Sequence, residues 1–512
     1  MKFLQNIEPR GYQQKIFETC VEKNCLVVLP TGIGKTLIAL MLVIDRMQKF
    51  PGEKVVFLAP TKPLAEQHLN YFKKHLPELF ADMQLFTGAV NSNKRKKIWQ
   101  TTDIIFSTPQ CIANDVKKNF YNLNEVCLLV EDEAHRCVKN YDYNFLAKKY
   151  LSQAQNPRII GLTASPGSDA QKIKEICRNL FIQEVELRTR ESEDVKKYLQ
   201  ELEYEKVVVD FPPKFEEMKH VLLKLFNKYV EELRRRRVLF GSASKISLIH
   251  LQKKMIGGIT RGNKNFNYML GVSACAQAIK IQHALELLET QTLESFNKYL
   301  KKLLNEAVKK KSKGVVKLVA KPEFNYVFMT SNELLSKNIE HPKIKEVLKI
   351  IEKEKNEKMK IIVFTQFRDS AVIICRNLNS LKDVKAKVFV GQMKKDGLGM
   401  NQKEQRKIID EFSEGEINVL CATCIAEEGL DIPEVNAVIF YEPVASAIRS
   451  IQRRGRTARL MKGKLFMLVT KNTRDETWFY ASRAREKKMG VAIGEIKEDL
   501  KNGKKFDFQK RL

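Results

Sequence analysis

The sequence predicts two α/β domains, each built on a parallel sheet, with a helical insert between them. Three observations carry this. Short apolar runs alternate with amphipathic stretches over residues 1–204. The same alternation returns over 336–490. Between 205 and 335 the strand signal fades and helical periodicity replaces it. Continuous apolar strands separated by helical segments indicate a sheet covered on both faces.

In the first block the strand runs are CLVVLP, VVFLAP, DIIFST, VCLLVED and RIIGLTAS, each ending in turn or polar residues. In the last block they are KIIVFTQ, AKVFVG, INVLCAT, AVIFYEP and KLFMLVT. The insert carries KFEEMKHVLLKLFNKYVEELRRRRVLF and ACAQAIKIQHALELLETQTLESFNKYLKKLLNEAVKK, both with helical spacing of apolar positions. Residues 491–512 read as a basic, mobile tail.

A chain of 512 residues has room for about three domains at roughly 150 residues each. Ninety Lys+Arg against 61 Asp+Glu leave a net charge of +29, which points to a polyanionic partner, nucleic acid or an acidic membrane surface. No apolar run approaches the roughly 18 residues of a membrane span, and no signal-peptide pattern opens the chain. Residues 211–340 hold 24 Lys+Arg and 11 Asp+Glu, an excess of +13. Solvated helix faces account for isolated lysines, but less well for Arg234, Arg235, Arg236 and Arg237 in a row, so the insert is expected to contact nucleic acid. The ten cysteines are scattered through apolar runs and read as reduced thiols of a cytoplasmic protein. Cys421 and Cys424 form a C-x-x-C with no second pair at metal spacing, so buried strand-end thiols are favoured over zinc or redox chemistry.

LPTGIGKT (29–36) follows a strand run directly and opens an apolar helix, the context a phosphate-binding loop requires. Gly32 and Gly34, with Thr31, allow backbone N–H groups to face an anion at the positive helix end. Lys35 reaches the β- and γ-phosphates, and the Thr36 hydroxyl ligates Mg²⁺. The common pattern wants Gly at position 29, where this chain has Leu29. VEDEAHR (130–136) follows another strand run. There Asp132 is expected to hold Mg²⁺ through water, and Glu133 to orient or deprotonate the attacking water.

Together P-T-G-x-G-K-T, D-E-A-H, T-A-S (163–165) and Q-R-R-G-R-T-A-R (452–459) resemble, in order, the signature of a superfamily 2 helicase of the DEAH type. The wording LVVLPTGIGKTLIA, VFLAPTKPLAEQH, VEDEAHR, GLTASPG and EEGLDIPEVN is most similar to the archaeal Hef helicase and its Fanconi-anaemia M-type relatives. The resemblance implies two RecA-like domains with ATP and Mg²⁺ in the cleft between them. It also implies a thumb-like insert that favours forked or branched DNA.

Carried over residue by residue, it makes Arg456 and Arg459 the arginine fingers at the γ-phosphate, with Gln452 contacting phosphate or the catalytic water. Such fingers are worth roughly 10³–10⁵ in rate. Of Arg453 and Arg454, one is expected to bind acids within its own domain. Arg10 and Gln13 match the adenine-reading Q motif; Gly429 and Asp431 would sit near the ribose. His135, Thr163 and Ser165 would couple the ATP site to strand binding. Thr61, Lys62, Gly88 and Thr108 from the first domain, and Gln366, Arg368 and Thr423 from the second, would grip a strand's phosphates.

The implied activity is 3′→5′ translocation on forked, branched or single-stranded DNA in replication-fork repair and recombination, in the cytoplasm and, for an archaeal chain, at the nucleoid. Full-length Hef continues into a nuclease with an E-R-K-x-x-x-D core. EQRKIID (404–410) lacks that order, so no nuclease activity is expected, which leaves room for a separate nuclease or a sliding-clamp partner. Two other readings stay open. One is a double-stranded RNA ATPase related to the RIG-I and Dicer helicases; the other is an ATP-independent scaffold for branched DNA.

Overall fold

The computed structural model describes residues 3–262, 266–310, 312–356, 358–392, 399–423, 426, 432–444, 446, 453, 457 and 462–503. The first sheet is built from β1 (Cys25–Val28), β2 (Lys54–Leu58), β3 (Met83–Phe86), β4 (Ile104–Ser107), β5 (Val126–Asp132), β6 (Ile159–Thr163) and β7 (Glu184–Leu187). The second contains β8 (Leu202–Val209), β9 (Ile361–Phe364), β10 (Ala386–Phe389), β11 (Val419–Ala422), β12 (Ala437–Phe440) and β13 (Gly463–Thr470).

The strand order is β3-β4-β2-β5-β6-β1-β7 in the first sheet and β10-β11-β9-β12-β13-β8 in the second. All the pairs are parallel. Helices cover both faces, and each sheet separates two apolar clusters. In the first, Leu26 and Val28 face one cluster while Cys25 and Val27 face the other. This alternation on a sheet buried on both sides is what makes the strand runs continuously apolar. Every strand run read from the sequence forms a strand.

Two boundaries differ from the sequence reading. The division at 204/205 falls inside β8, which pairs along its whole length with β13 and so belongs to the second domain. The chain therefore crosses to the second sheet before it enters the insert, whose first helix is Pro213–Arg235. The tail also differs: residues 491–501 complete the long helix Arg474–Lys501. Its Met489, Ala492, Ile493 and Ile496 pack into the core of the first domain, so burial holds this segment in place. Residues 504–512 lie outside the described residues.

The insert is a helical bundle with its own core, including Phe215, Leu285, Phe296 and Leu300. It is rooted on the second domain. The Thr365 hydroxyl donates to Gln291 Oε1 at 3.1 Å, and the Ser295 and Ser370 hydroxyls lie 3.2 Å apart. The fully buried Lys343 donates to Thr290 O at 3.1 Å and pairs with Asp475, the second residue of the long helix. No described helix is long and apolar enough to cross a membrane.

Candidate nucleotide site and its surroundings

The loop 29–34 leaves β1 and turns into the helix Lys35–Lys49. Gly32 and Gly34 take φ of 84° and 80°, the left-handed region that costs a side-chain-bearing residue about 1–2 kcal/mol. At Gly34 space is also short, because an added Cβ would lie 2.3 Å from Gln13 Nε2. The helix begins with no acidic residue in its first turn, so its N-terminal dipole faces outward unopposed by acids of its own turn. Lys35 folds back over the loop, its ammonium donating to Leu29 O at 3.0 Å and Pro30 O at 3.3 Å. The Thr31 hydroxyl oxygen is buried with no hydrogen-bond partner among the described residues.

Gln13 braces this loop. Its Nε2 donates to Ile33 O at 3.3 Å and Gly34 O at 3.2 Å, while its Oε1 accepts from the Arg10 N–H at 2.8 Å. Tyr12 donates its hydroxyl to Ile33 O. The Arg10 guanidinium lies over the Tyr198 ring, 5.0 Å from its centroid. In this arrangement Gln13 is buried and engaged at both ends of its amide, so reading a base would require it to exchange loop contacts for the base.

Asp132 closes β5, and Glu133 follows in the left-handed conformation at φ 51°, ψ 46°. That turn separates the two acids: Asp132 stays in line with the sheet, while Glu133 leads into the short 3₁₀ turn Ala134–Arg136. Burial alone would raise the Asp132 carboxyl. It is outweighed by His68, hydrogen-bonded to it, and by Lys35, so the group lies below the usual carboxylate range. His68 Nε2 and Asp132 Oδ2 are 2.8 Å apart and both buried. The Tyr143 hydroxyl donates to Asp132 O at 2.7 Å from below. The neighbouring Glu131 takes no part: its side chain is buried in the sheet, where desolvation pushes its carboxyl well up.

From the 3₁₀ turn a polar chain runs toward the second domain. His135 Nδ1 lies 3.1 Å from Glu133 Oε2 and 3.2 Å from Thr163 Oγ1. Thr163 Oγ1 accepts from the Ser165 N–H at 3.2 Å and donates to Ser165 O at 3.1 Å. The Ser165 hydroxyl in turn meets Met489 Sδ at 2.9 Å, on the helix whose first turn is buried in the second domain.

Comparison with known proteins followed the same layout. A DEAD/DEAH box helicase model matches residues 10–173, a helicase conserved C-terminal domain model 342–461, and a model described as putative ATP-dependent RNA helicase, helical bundle, 214–340. The solved helicase domain of Hef from Pyrococcus furiosus aligns with a TM-score of 0.72 at 40% identity, covering 94% of this chain and 100% of that one. The chain belongs to the Hef family of helicases.

Among curated Hef-like relatives, the putative ATP-dependent RNA helicase MJ1505 of Methanocaldococcus jannaschii is 38% identical over 95% of this chain and 60% of its own length. The ATP-dependent DNA helicase fml1 of Schizosaccharomyces pombe is 31% identical over 94% of this chain and 59% of its own. The chain thus spans about three fifths of these relatives' length.

On this Hef-type frame the structure brings together Thr31, Gly32, Gly34, Lys35, Thr36, Asp132, Glu133 and His135, all at the C-terminal ends of neighbouring strands. The donor set fits Mg²⁺, since the Thr36 hydroxyl and the Asp132 carboxylate are hard oxygen ligands beside an anion-facing helix end. Thr61 and Thr108 sit at the starts of the helices Lys62–His75 and Pro109–Lys117, and neither hydroxyl caps its own helix. Lys62, Gly88 and Gln366 are exposed and Arg368 is half-buried. Thr423 is only 4% exposed, so its hydroxyl is packed within the second domain and does not present itself to a strand. In the insert Arg234, Arg235 and Arg237 are exposed, while Arg236 pairs with Glu232 at 2.8 Å.

Gly429, Asp431, Gln452, Arg454, Arg456, Arg459 and Cys424 lie outside the described residues. Arg453 is described and faces inward: 1% exposed, with its guanidinium 4.9 Å from the Phe364 ring centroid and its charge acting on buried Glu442. It is the arginine of the cluster that serves its own domain. Cys421 is buried in β11, in keeping with the strand-end reading. Two residues escaped the sequence reading. His68 follows the quoted motif APTKPLAEQ directly, and only its contact with Asp132 reveals a role. Met489 carries no motif signal at all.

Proposed function

We propose that this chain is an ATP-dependent DNA helicase or translocase that moves 3′→5′ on forked or branched DNA in fork repair and recombination. The observation that carries the reading is the convergence of Lys35, Asp132 and Glu133 beside the glycine loop, with a polar chain leading from Glu133 to the other domain. Lys35 releases its loop carbonyls to hold the β- and γ-phosphates, and Glu133, aimed by its left-handed turn, orients the attacking water. Thr36 and Asp132 would hold Mg²⁺, which supplies neutralisation of charge on the phosphate oxygens. Arg456 and Arg459 are assigned to the γ-phosphate and Gln452 to the water, with Gly429 and Asp431 at the ribose and Arg10 and Gln13 at the base. Because these groups come from two domains, hydrolysis is tied to domain closure.

Strand binding is assigned to Thr61, Lys62, Gly88, Thr108, Gln366 and Arg368, and to the exposed arginines of the insert. Two helix N-termini with uncapped threonines suit phosphate. DNA is favoured by the fml1 relative's name; the name of MJ1505 keeps RNA as a second reading. The test is steady-state ATP hydrolysis, wild type beside Lys35→Ala, with single-stranded DNA, duplex, a three-way fork and double-stranded RNA. Strong stimulation by the fork, lost in the variant, is the expected result. Stimulation by double-stranded RNA alone overturns the DNA assignment and leaves the ATP site standing.

A further inference from the structure

Away from the nucleotide site, the insert encloses a cavity of about 380 Å³. That lies within the roughly 300–1,000 Å³ of small-molecule sites. It opens between the helices Pro213–Arg235, Phe266–Thr290 and Lys313–Val319, and its wall includes Tyr229, Ser273, Ala274, Gln277, Lys317 and Lys321.

Two of these groups want a partner. Tyr229 is 5% exposed and Gln277 is 4% exposed, yet Tyr229 Oη and Gln277 Oε1 have no hydrogen-bond partner among the described residues. Gln277 is oriented by its other end, since Nε2 donates to Ser273 O at 3.1 Å and Ser273 Oγ at 3.3 Å. Burial, with Glu232 and Glu323 nearby, pushes the Tyr229 phenol up to about 12, so it keeps its proton and donates. The wall therefore offers one donor and one acceptor in an otherwise apolar setting, each costly to leave unmade.

The rim is cationic. Lys317 is exposed and Lys321 half-buried, and neither has an ion pair among the described residues. The acid on the rim, Glu232, is already offset by Arg236. Phe266, Leu270, Ser273 and Gln277 follow one face of a helix, and Phe266 is 69% exposed one turn beyond Leu270. An exposed ring beside a cationic rim is a stacking platform for a base.

We propose that this cavity binds one nucleotide, its base edge held by Tyr229 and Gln277 and its phosphate by Lys317 and Lys321. The favoured source is a nucleotide turned out of a bound strand, with Phe266 stacking its neighbour. That source rests on the nucleic-acid reading above; a free nucleotide has the same chemistry and does not.

The test uses the full chain with Tyr229→Phe, Gln277→Leu, and Ala320→Trp, which covers the mouth from an exposed position. Thermal unfolding checks that each variant is folded. Anisotropy titrations use a fork with one unpaired nucleotide and the same fork fully paired; calorimetry uses mixed deoxynucleoside monophosphates without DNA. Loss of one buried hydrogen bond corresponds to roughly five- to tenfold in affinity. The expected result is such a loss for the unpaired fork in all three variants, with a smaller loss for the paired fork. Cross-linking of a 5-iodouracil at the unpaired position should map to Tyr229 or its neighbours in the cavity. Binding of free monophosphates, weakened by the same variants while fork affinity is unchanged, supports the nucleotide site and moves its source to solution. Unchanged affinity for both probes in folded variants overturns the proposal.

Discussion

Ser165 and Met489 meet across the two domains at 2.9 Å, hydroxyl to thioether sulfur. Ser165 belongs to the chain of contacts that begins at Glu133, and Met489 lies on a helix anchored in the second domain through buried Asp475. The helix thus carries the second domain's position to the ATP site. Met489→Leu keeps the volume and removes the sulfur acceptor, so a stability loss below about 1.5 kcal/mol is expected. Ile493→Asp places a carboxylate where no water reaches and should undock the helix end. The expected outcome is new protease cleavage within 489–501 and at least a tenfold loss of DNA-stimulated ATP hydrolysis. Hydrolysis without DNA should change far less. If the stimulated rate survives in a chain that is cleaved there, the helix does not transmit the coupling.

His68 holds Asp132 in place from the first domain. Groups that orient a metal-binding carboxylate typically cost 10- to 100-fold in metal affinity or activity when lost. We expect His68→Ala to raise the Mg²⁺ concentration needed for half-maximal hydrolysis by about that factor, with nucleotide binding in the absence of Mg²⁺ little changed. An unaltered Mg²⁺ titration would show the contact to be structural only.

The strands that could be read from the sequence and those that could not divide by position. β1, β2, β4, β5 and β6 are interior strands buried on both faces, so their residues are uniformly apolar and stand out. MQLF, EVEL and LEYEKVVV, which became β3, β7 and β8, are all sheet edges. An edge strand keeps a wet side, and in β8 the acids and lysine occupy it, so the run reads as polar. The nucleotide loop was legible because its chemistry needs fixed residue types at fixed spacing. Gln13 was placed at the right site but bonds the loop itself. His68 and Met489 were illegible for the opposite reason: their partners lie 64 and 324 residues away, and no local pattern encodes those contacts.

Gly34 is constrained twice, by its φ of 80° and by Gln13. Gly34→Ala must either leave the left-handed conformation or displace the glutamine amide, which gives up two loop contacts. We expect a loss of about 1–2 kcal/mol in stability and at least tenfold weaker nucleotide binding, read by fluorescent nucleotide titration. Gln13→Ala leaves the φ unstrained, so its effect on nucleotide affinity should be the smaller. The reverse order would mean that Gln13, rather than the loop conformation, governs binding.

Glu442 is fully buried beside Thr365, whose hydroxyl donates to it at 3.2 Å, and it accepts the Gln366 N–H. Burial raises its carboxyl to about 7, against the opposing pull of Arg453 and Lys343 and with Asp475 adding to the rise. The folded chain therefore binds more protons here than the unfolded chain between about pH 4.3 and about pH 7. In that window stability contributed by this group falls as pH rises, by at most about 1.4 kcal/mol per unit, and it levels off above it. Glu442→Gln stays neutral throughout and should lack the slope. Denaturant midpoints at pH 5, 6, 7 and 8 should show wild type and variant close at pH 5, with the variant pulling ahead toward pH 8. Parallel profiles would mean that Arg453 and Lys343 keep the carboxylate ionised in the fold, and that the buried cluster is held together by charge.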